Sequence, residues 1–267
     1  MSVLGQTGAR CLPETSGGAP LPDPERAVPA KGVEVRANQP GGTRSVGADS
    51  WEVPLPGGDW LRWQLVDSAF PTGGFAHSAG LEAAWQHGEV RNGVEFCAWM
   101  EASLIQVARG SIPWMNVAHN EPERLEELDR HCDVFLTNHV ANRASRLQGR
   151  AFCAAAVRVF NLQNPAPPLG HLAPVFGCVT ASLKLPLLDA IRLFAFLHVR
   201  SVIAAAVRLN IVGPMEGQRL QQRLSQPAEA MVQRSAGWNL ADLGQTAPLL
   251  DLWQGTQDQL YSRLFQS

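Results

Sequence analysis

Residues 67 to 82 contain the densest run of chemically active side chains in the sequence, at Asp67, Ser68, His77, Ser78 and Glu82. Two carboxylates, an imidazole and two hydroxyls could supply a nucleophile with its base and orienting acid, or could ligate a metal ion. However, adjacent Ser and His do not form a triad arrangement, and no Gly-x-Ser-x-Gly turn follows a strand. In the structural interpretation, which the residue types favour, Asp67 and Ser68 cap backbone groups while His77 or Ser78 hydrogen-bonds across the turn. The alternative is an enzyme or direct metal carrier that uses Asp67, His77 and Glu82.

The remaining histidines and cysteines do not form a recognisable metal site. No two of the seven histidines have the i, i+4 spacing of a helical metal pair, and His131-Cys132 and His171 with Cys178 are only weak candidates. The five cysteines lack a Cys-x-x-Cys spacing, which favours reduced, buried thiols. No phosphate loop is present, because no Gly-Lys-Ser or Gly-Lys-Thr follows the paired glycines of the turn. The sequence therefore predicts no tightly bound cofactor and no metal ligand in this chain.

Composition and charge exclude several classes of function. The chain has 267 residues and a net charge of −2, which gives no basis for binding nucleic acid or an anionic membrane. Residues 1–57 are rich in Gly, Pro, Ala and Ser, and are predicted to be a disordered leader. This leader has no apolar core of a secretory signal, and it carries acids that are rare in organelle transit peptides. A cytoplasmic protein is therefore expected.

From residue 58 to residue 267 the pattern predicts one all-α, helical-bundle-like domain. A helix precedes the 67–82 turn, which breaks at Pro71 and Gly73-Gly74 because proline and paired glycines disfavour helix. Further helices are predicted at about 140–160, 171–183 and 215–234, with a short last helix or an extended tail at 249–265.

The most apolar segment, residues 187–212, is long enough to cross a membrane. Asp189, Arg192, Arg200 and Arg208 interrupt it, and each charge at the centre of a bilayer would cost about 3 kcal/mol. The sequence therefore predicts a central buried helix, with one face at an interface, in place of a membrane span.

Apolar residues at three- and four-residue steps predict the packed sides of three other helices. The predicted packed residues are Val94, Cys97, Met100, Leu104 and Val107, then Leu125, Leu128, Cys132 and Phe135, then Ala144, Leu147, Ala151, Ala154 and Ala155.

Two arginine-bearing features suggest contacts with protein partners. Arg143, Arg146 and Arg150 are three and four residues apart, so they share one face of a helix that is either solvated or bound to a partner. The segment Leu260–Phe265 places the only tyrosine, an arginine and large apolar residues at the end of the chain. Chain ends are usually polar and frayed, so this composition favours an interaction surface.

Several blocks of the sequence together resemble the urease accessory protein F (UreF) family. They occur in the family's order and spacing, cover about residues 60 to 267, and are specific only in combination. The blocks are Leu65–Glu82, Asn142–Arg150, His171–Gly177, Val207-Arg208-Leu209 before Gly213-Pro214, and Leu260–Phe265.

The resemblance implies a non-enzymatic, all-α maturation factor that forms a homodimer. Such a factor binds the urease accessory protein D (also called H), and the pair recruits and regulates the nickel-carrying GTPase, urease accessory protein G. The complex then delivers nickel to apo-urease, so nickel is handled by the complex and not held tightly by this chain.

The resemblance also implies roles for particular residues. Arg263 matches the family arginine that recruits the GTPase, within a tail formed by Tyr261, Ser262, Arg263, Leu264 and Phe265. Arg192 matches a family arginine on the long central helix that is involved in assembly, and the turn matches a region near the dimer contact. The expected partner or dimer interface comprises Pro71, Gly73, Gly74, Phe75, His77, Ser78, Glu82, Arg143, Arg146, Arg150, Arg192 and Phe196.

This chain departs from the bacterial pattern on the predicted central helix. Phe194 and Phe196 stand where many bacterial members have tyrosines, and Arg200-Ser201-Val202 replaces Ser-Asn and an apolar residue. These differences resemble the eukaryotic branch of the family, and the loss of two hydroxyl groups changes the contacts that this helix can make.

Overall fold

The computed structural model describes residues 58–165 and 167–267, and every regular element in this part of the chain is helical. The predicted all-α class is therefore confirmed, whereas the predicted disordered leader at residues 1–57 lies outside the described residues. The α-helices are α1 (Asp59–Val66), α2 (Leu81–Gln86), α3 (Gly93–Gly110), α4 (Ile112–Asn120), α5 (Leu125–Phe135), α6 (His139–Phe160), α7 (Leu172–Ser182), α8 (Leu187–Arg208), α9 (Pro214–Ser235) and α10 (Pro248–Gly255).

Local sequence explains where several helices begin. The Asn92 side chain accepts a hydrogen bond from the Val94 N–H at 3.0 Å, and that of Asn138 accepts one from the Val140 N–H at 3.0 Å. These N-caps satisfy backbone donors that the first turn of a helix leaves free. Helices α9 and α10 instead begin with a proline, whose fixed φ suits the first helical position.

The buried side of α5 largely follows the predicted pattern, but parts of α3 and α6 do not. Val94 is 82% exposed, because it lies on a solvent stripe with Ala98, Glu101 and Ile105 at three- and four-residue steps. The prediction that Val94 is packed is therefore wrong.

The same error occurs on α6, where Leu147 and Ala154 share the exposed stripe of Arg150 and Arg158. Leu147 is 41% exposed, and the packed side is instead formed around Phe152 and other residues that point to α7. Apolar type alone did not identify the buried side, because leucine and alanine also occur on solvated helix faces.

Gly177 lies in the interior of α7, at the point where α4 and α7 approach each other closely. A Cβ atom on Gly177 would lie 2.2 Å from the Met115 carbonyl oxygen of α4. Glycine in a helix interior costs about 1 kcal/mol relative to alanine, and close packing of α4 against α7 offsets this cost.

A chain of aromatic contacts fixes the 67–82 turn to the core. The ring of Phe70, in the turn, lies 6.0 Å from the ring of Phe152 on α6. The Phe152 ring stacks on Phe176 of α7 at 4.8 Å, and Phe176 contacts Phe194 of α8 at 5.3 Å. The turn is thus connected through α6 and α7 to α8.

Helix α8 is long and apolar enough to cross a membrane, and 56% of its most apolar 18-residue window is buried in the protein. Its charged residues are engaged by neighbouring elements: Asp189 pairs with Arg62 of α1, and Arg192 pairs with Glu229 of α9. Ten of its residues, including Ile191, belong to the buried set. This packing agrees with the predicted central helix.

Candidate functional site

The turn is held in shape by its own residues and by donors from α8. The Asp67 carboxylate accepts a hydrogen bond from the Ala69 N–H at 2.7 Å, as the structural interpretation predicts. Gly73 adopts a left-handed conformation with φ of 70°, which favours glycine. The Ser201 hydroxyl donates to the Gly74 carbonyl at 2.9 Å, and Arg200 donates to a carbonyl that precedes the turn. The turn is therefore a rigid, α8-supported segment.

Glu82 binds the C-terminal tail of the same chain. Its buried carboxylate accepts hydrogen bonds from the Leu264 N–H at 2.6 Å, the Phe265 N–H at 3.1 Å and the Gln257 side-chain amide at 2.6 Å. A buried carboxylate is stable only when such donors replace its hydration shell. The two regions that sequence analysis treated separately, the turn and the tail, therefore form one site.

His77 and Ser78 also bind the tail. The Ser78 hydroxyl donates to the Ser267 carbonyl at 2.8 Å, and His77 Nδ1 lies 2.7 Å from the Ser267 hydroxyl. Within the 67–82 turn, the Ser78 hydroxyl also accepts a hydrogen bond from the Glu82 N–H at 3.3 Å, as the structural interpretation predicts, whereas the contacts of His77 and Ser78 with the tail were not predicted. The Gln266 N–H completes this contact by donating to the Ala76 carbonyl at 2.8 Å.

Burial keeps the His77 imidazole uncharged at neutral pH. Desolvation, assisted by the nearby positive charge of Arg143, lowers its pKa from 6.5 to about 4. The neutral ring can exchange a hydrogen bond with the Ser267 hydroxyl, whichever nitrogen carries the proton.

Arg208, at the end of α8, joins the turn to the tail. It donates to the Phe75 carbonyl at 2.6 Å, its second nitrogen lies 3.5 Å from the Leu264 carbonyl, and its guanidinium stacks 4.2 Å above the Phe265 ring. Cation–π contacts of this kind stabilise by about 0.5–2 kcal/mol. A residue for which sequence analysis predicted no role thus secures both halves of the site.

The tail exposes one side and buries the other. Phe265 is 4% exposed and belongs to the core, whereas Tyr261 is fully exposed and Leu264 is 58% exposed. Ser262 is exposed as well, and its carbonyl accepts a hydrogen bond from Gln86 at 2.8 Å. Arg263 pairs with Asp258 at 3.1 Å. The tail is therefore docked on the domain, with part of its predicted recruiting surface accessible.

Three residues of the expected partner interface and one residue of the predicted recruiting tail need a different interpretation. His77, Ser78 and Glu82 are buried within this chain and support the tail from beneath, and Phe265 of the tail is itself buried. Pro71 and Phe75 are exposed, and Phe75 has 74% of its surface accessible, while Gly73 and Gly74 are half-buried. Whether these residues contact a partner stays a prediction.

The three predicted α6 arginines have different surroundings. Arg143 makes two hydrogen bonds to Asp258, at 2.8 and 3.0 Å, which lower the pKa of that carboxyl. Arg146 lies 3.9 Å from Asp133, and Arg150 is exposed. The structure therefore brings Arg143 to the tail through Asp258, and leaves Arg150 on the solvated side of α6.

Arg192 and Phe196 line a groove of about 480 Å³ between α8 and α9. Arg192 makes two hydrogen bonds to Glu229, both at 2.8 Å, and these lower the pKa of Glu229 to about 2. Phe196 is 38% exposed in this groove. Arg192 in the groove and Arg208 beside the tail are 16 residues apart on one helix, so these two residues are separated by about 24 Å along the helix axis.

The residues considered for catalysis or metal transport are engaged in other contacts. Asp67 caps the turn, His77 contacts Ser267, and each carboxylate oxygen of Glu82 accepts at least one N–H. Across residues 58–165 and 167–267, no group of three or more His, Cys, Asp or Glu residues is arranged to hold a metal ion.

Sequence reasoning missed Gln257, Asp258 and the role of Arg208. Gln257 meets Glu82 across 175 residues, and Asp258 meets Arg143 across 115 residues. Helical periodicity reports only neighbours within a few residues, so it carries no signal for such contacts. Arg208 lay inside a block that resembles the family, which was the one available indication.

Known proteins resemble this chain over most of its length. The UreF family model matches residues 90–225. Urease accessory protein F of Arabidopsis thaliana is 38% identical over 221 residues, which cover 78% of this chain and 92% of that protein. Urease accessory protein F of Oryza sativa subsp. japonica is 37% identical over 219 residues, covering 77% and 84% respectively. Urease accessory protein UreF of Arthrobacter sp. (strain FB24) is 30% identical over 217 residues, covering 76% and 95%. These matches confirm the resemblance and its eukaryotic character, and the chain belongs to the urease accessory protein F family.

Proposed function

We propose that this chain is an adaptor in urease maturation that acts by binding and carries out no chemical step. In this proposal it forms a homodimer, binds urease accessory protein D, and recruits the nickel-carrying GTPase, urease accessory protein G. The complex inserts nickel into apo-urease. Relatives whose names describe them as urease accessory proteins support the maturation role.

The observation that carries this proposal is the docked C-terminal tail. Glu82 and Arg208 fix its backbone, while Tyr261 and Leu264 project an aromatic and an aliphatic side chain into solvent. Exposed aromatic and arginine side chains on a fixed backbone bind partners at a low entropic cost. A binding surface is therefore a better use of these residues than a catalytic one.

Regulation of the GTPase would follow from differential binding. If the adaptor binds one nucleotide state of the GTPase more tightly, it shifts that protein's equilibrium toward that state. A tenfold difference in affinity corresponds to about 1.4 kcal/mol.

Point variants test the role of the tail better than a truncation, because removal of residues 261–267 would also delete the buried Phe265. The triple variant Tyr261→Ala, Arg263→Ala and Leu264→Ala changes only accessible side chains. We expect it to remain folded, to bind the D protein, and to lose GTPase capture and nickel- and GTP-dependent urease activation. Val134→Ala, at a 78% exposed site on α5, is the matched control. Full GTPase capture by the triple variant would exclude the tail as the recruiting surface.

A further inference from the structure

Asp258 lies at the centre of a cluster of basic groups from two distant parts of the chain. Arg143 of α6 makes two hydrogen bonds to its carboxylate, at 2.8 and 3.0 Å. Arg263 of the tail lies 3.1 Å from one carboxylate oxygen, and His139 of α6 lies 3.3 Å from the other. One carboxylate thus connects the tail arginine to the first turns of α6.

This cluster is accessible and has a surplus of positive charge. The exposed side-chain fractions are 42% for Arg143, 46% for Arg263, 66% for His139 and 31% for Asp258. Two guanidinium groups face one carboxylate, so at least one positive charge remains uncompensated. Tyr261 and Leu264 of the same tail add exposed apolar surface nearby in sequence.

Asp258 also limits where the Arg263 side chain can lie. An arginine side chain has many rotamers in solvent, and ordering it on binding costs conformational entropy. A carboxylate that holds the guanidinium in advance removes part of that cost. The same carboxylate holds Arg143 in a planar, two-point contact, so the two guanidinium groups are kept side by side.

Building on the proposed function, we infer that Asp258 is a positioning residue for partner recruitment, and that it arranges Arg143 and Arg263 as a paired basic surface for an acidic patch on the GTPase. Asp258 itself does not contact the partner in this arrangement. Arg143 contributes directly, as a second cation beside the tail arginine.

Asp258→Asn should have two opposite effects on affinity for the partner, one from the change of charge and one from the loss of positioning. Asp258→Asn makes the surface more positive, so association with an acidic partner becomes faster at low salt. The same change releases Arg143 and Arg263, so dissociation also becomes faster. At high salt the long-range attraction is screened, and net binding should be about threefold weaker than for the unaltered chain.

The experiment measures association and dissociation rates of the GTPase on the full chain in complex with the D protein, at low and at high salt. Arg143→Gln should weaken binding about threefold at low salt and flatten its salt dependence. Asp258→Glu keeps the carboxylate and should restore slow dissociation. Arg130→Gln and Glu126→Gln, which remove the charges of an exposed ion pair on α5, are the controls for net charge.

A triple variant separates positioning from general charge. If Asp258 acts through Arg143 and Arg263, then adding Asp258→Asn to the double variant Arg143→Gln, Arg263→Gln should not make dissociation faster. Faster dissociation of the triple variant, or an Asp258→Asn variant that matches the unaltered chain at every salt concentration, would overturn the inference. Failure of the unaltered chain to bind the GTPase would instead refute the proposed function. Thermal unfolding of each variant verifies that it is folded.

Discussion

At the residue scale, Glu82 is the main hydrogen-bond acceptor in the contact between the turn and the tail. It is 1% exposed and accepts N–H groups from Gln257, Leu264 and Phe265. Hydrogen bonds to a charged group stabilise a protein by about 1.5–3 kcal/mol each, and the loss of one leaves a buried group unsatisfied. A carboxylate that resembled a candidate catalytic acid is therefore the anchor of the chain's own tail.

Glu82→Gln should weaken this anchor. The amide N–H₂ group of a glutamine would face one of the N–H donors that the Glu82 carboxylate accepts. At least one hydrogen bond is therefore lost, and the two donor groups repel each other. We expect the free energy of unfolding to fall by about 1–3 kcal/mol, and the tail to be cleaved faster by protease. Denaturant titration and limited proteolysis measure both effects. Glu89→Gln makes the same charge change at an exposed site, and equal results for the two variants would contradict the anchor role.

His77 should make stability depend on pH. Its folded-state pKa is lowered to about 4, so below pH 6.5 the unfolded chain binds a proton that the folded chain does not. Stability is therefore complete above pH 6.5 and falls as the pH decreases toward 4, by up to about 1.4 kcal/mol per pH unit. The pKa of His198 on α8 is also lowered to about 4 by desolvation, and this histidine acts in the same direction.

His77→Gln keeps a hydrogen-bonding group near Ser267 but cannot titrate. We expect its unfolding free energy to decline less steeply between pH 6.5 and pH 4 than that of the unaltered chain, as measured by denaturant titration at several pH values. His131→Gln, at a site with 58% of the side chain exposed, is the control. An unchanged pH profile for His77→Gln would show that this histidine is not the titrating group.

At the element scale, α8 supports the turn, the tail and the groove, three of the regions that were predicted to contact partners. Ser201 and Arg208 donate to carbonyls of the turn, Arg208 covers Phe265 of the tail, and Arg192 lies in the groove with α9. Hydrophobic composition predicted that α8 is central and buried. Its polar contacts were not predictable, because the carbonyls that it meets belong to segments more than 50 residues away.

The packing of α4 against α7 should depend on the absence of a side chain at Gly177. Alanine is the better helix former by about 1 kcal/mol, but its Cβ atom would lie 2.2 Å from the Met115 carbonyl oxygen. The clash involves backbone and should dominate, so we expect Gly177→Ala to lose about 2 kcal/mol of stability and roughly 5 °C in thermal midpoint. Scanning calorimetry measures the shift. Gly255→Ala, with its nearest neighbour at 3.7 Å, is the control and should unfold close to the unaltered chain.

At the scale of the whole molecule, two accessible surfaces lie along α8. One is the docked tail with its basic cluster, and the other is the groove lined by Arg192 and Phe196. Their separation on a single rigid helix would allow two partners to bind at once. In the proposed function the tail serves the GTPase, and we propose that the groove, which contains Arg192, serves assembly.

Phe196→Asp tests the role of the groove in assembly. A charged side chain in an apolar contact loses hydration without gaining a partner, so we expect self-association to weaken by at least tenfold. Sedimentation velocity over a range of protein concentrations measures it. Met215→Asp, at a 72% exposed site at the start of α9, should associate normally. A groove variant that forms dimers as well as this control would place the dimer contact elsewhere.

The sequence by itself determined the all-α class, the approximate bounds of α6 to α9, the central position of α8 and the family. Each of these depends on local periodicity, capping and ordered motifs, which are properties of neighbouring residues. Only the tertiary structure decided that the 67–82 turn binds the chain's own tail. It also decided that Phe265 lies in the core while Tyr261 is exposed, and that Asp258 joins α6 to Arg263. These contacts span more than 100 residues in the case of Glu82 and Arg143. The folded chain alone brings such groups together. Because desolvating a polar group is costly, the groups that become buried are those that find hydrogen-bond partners.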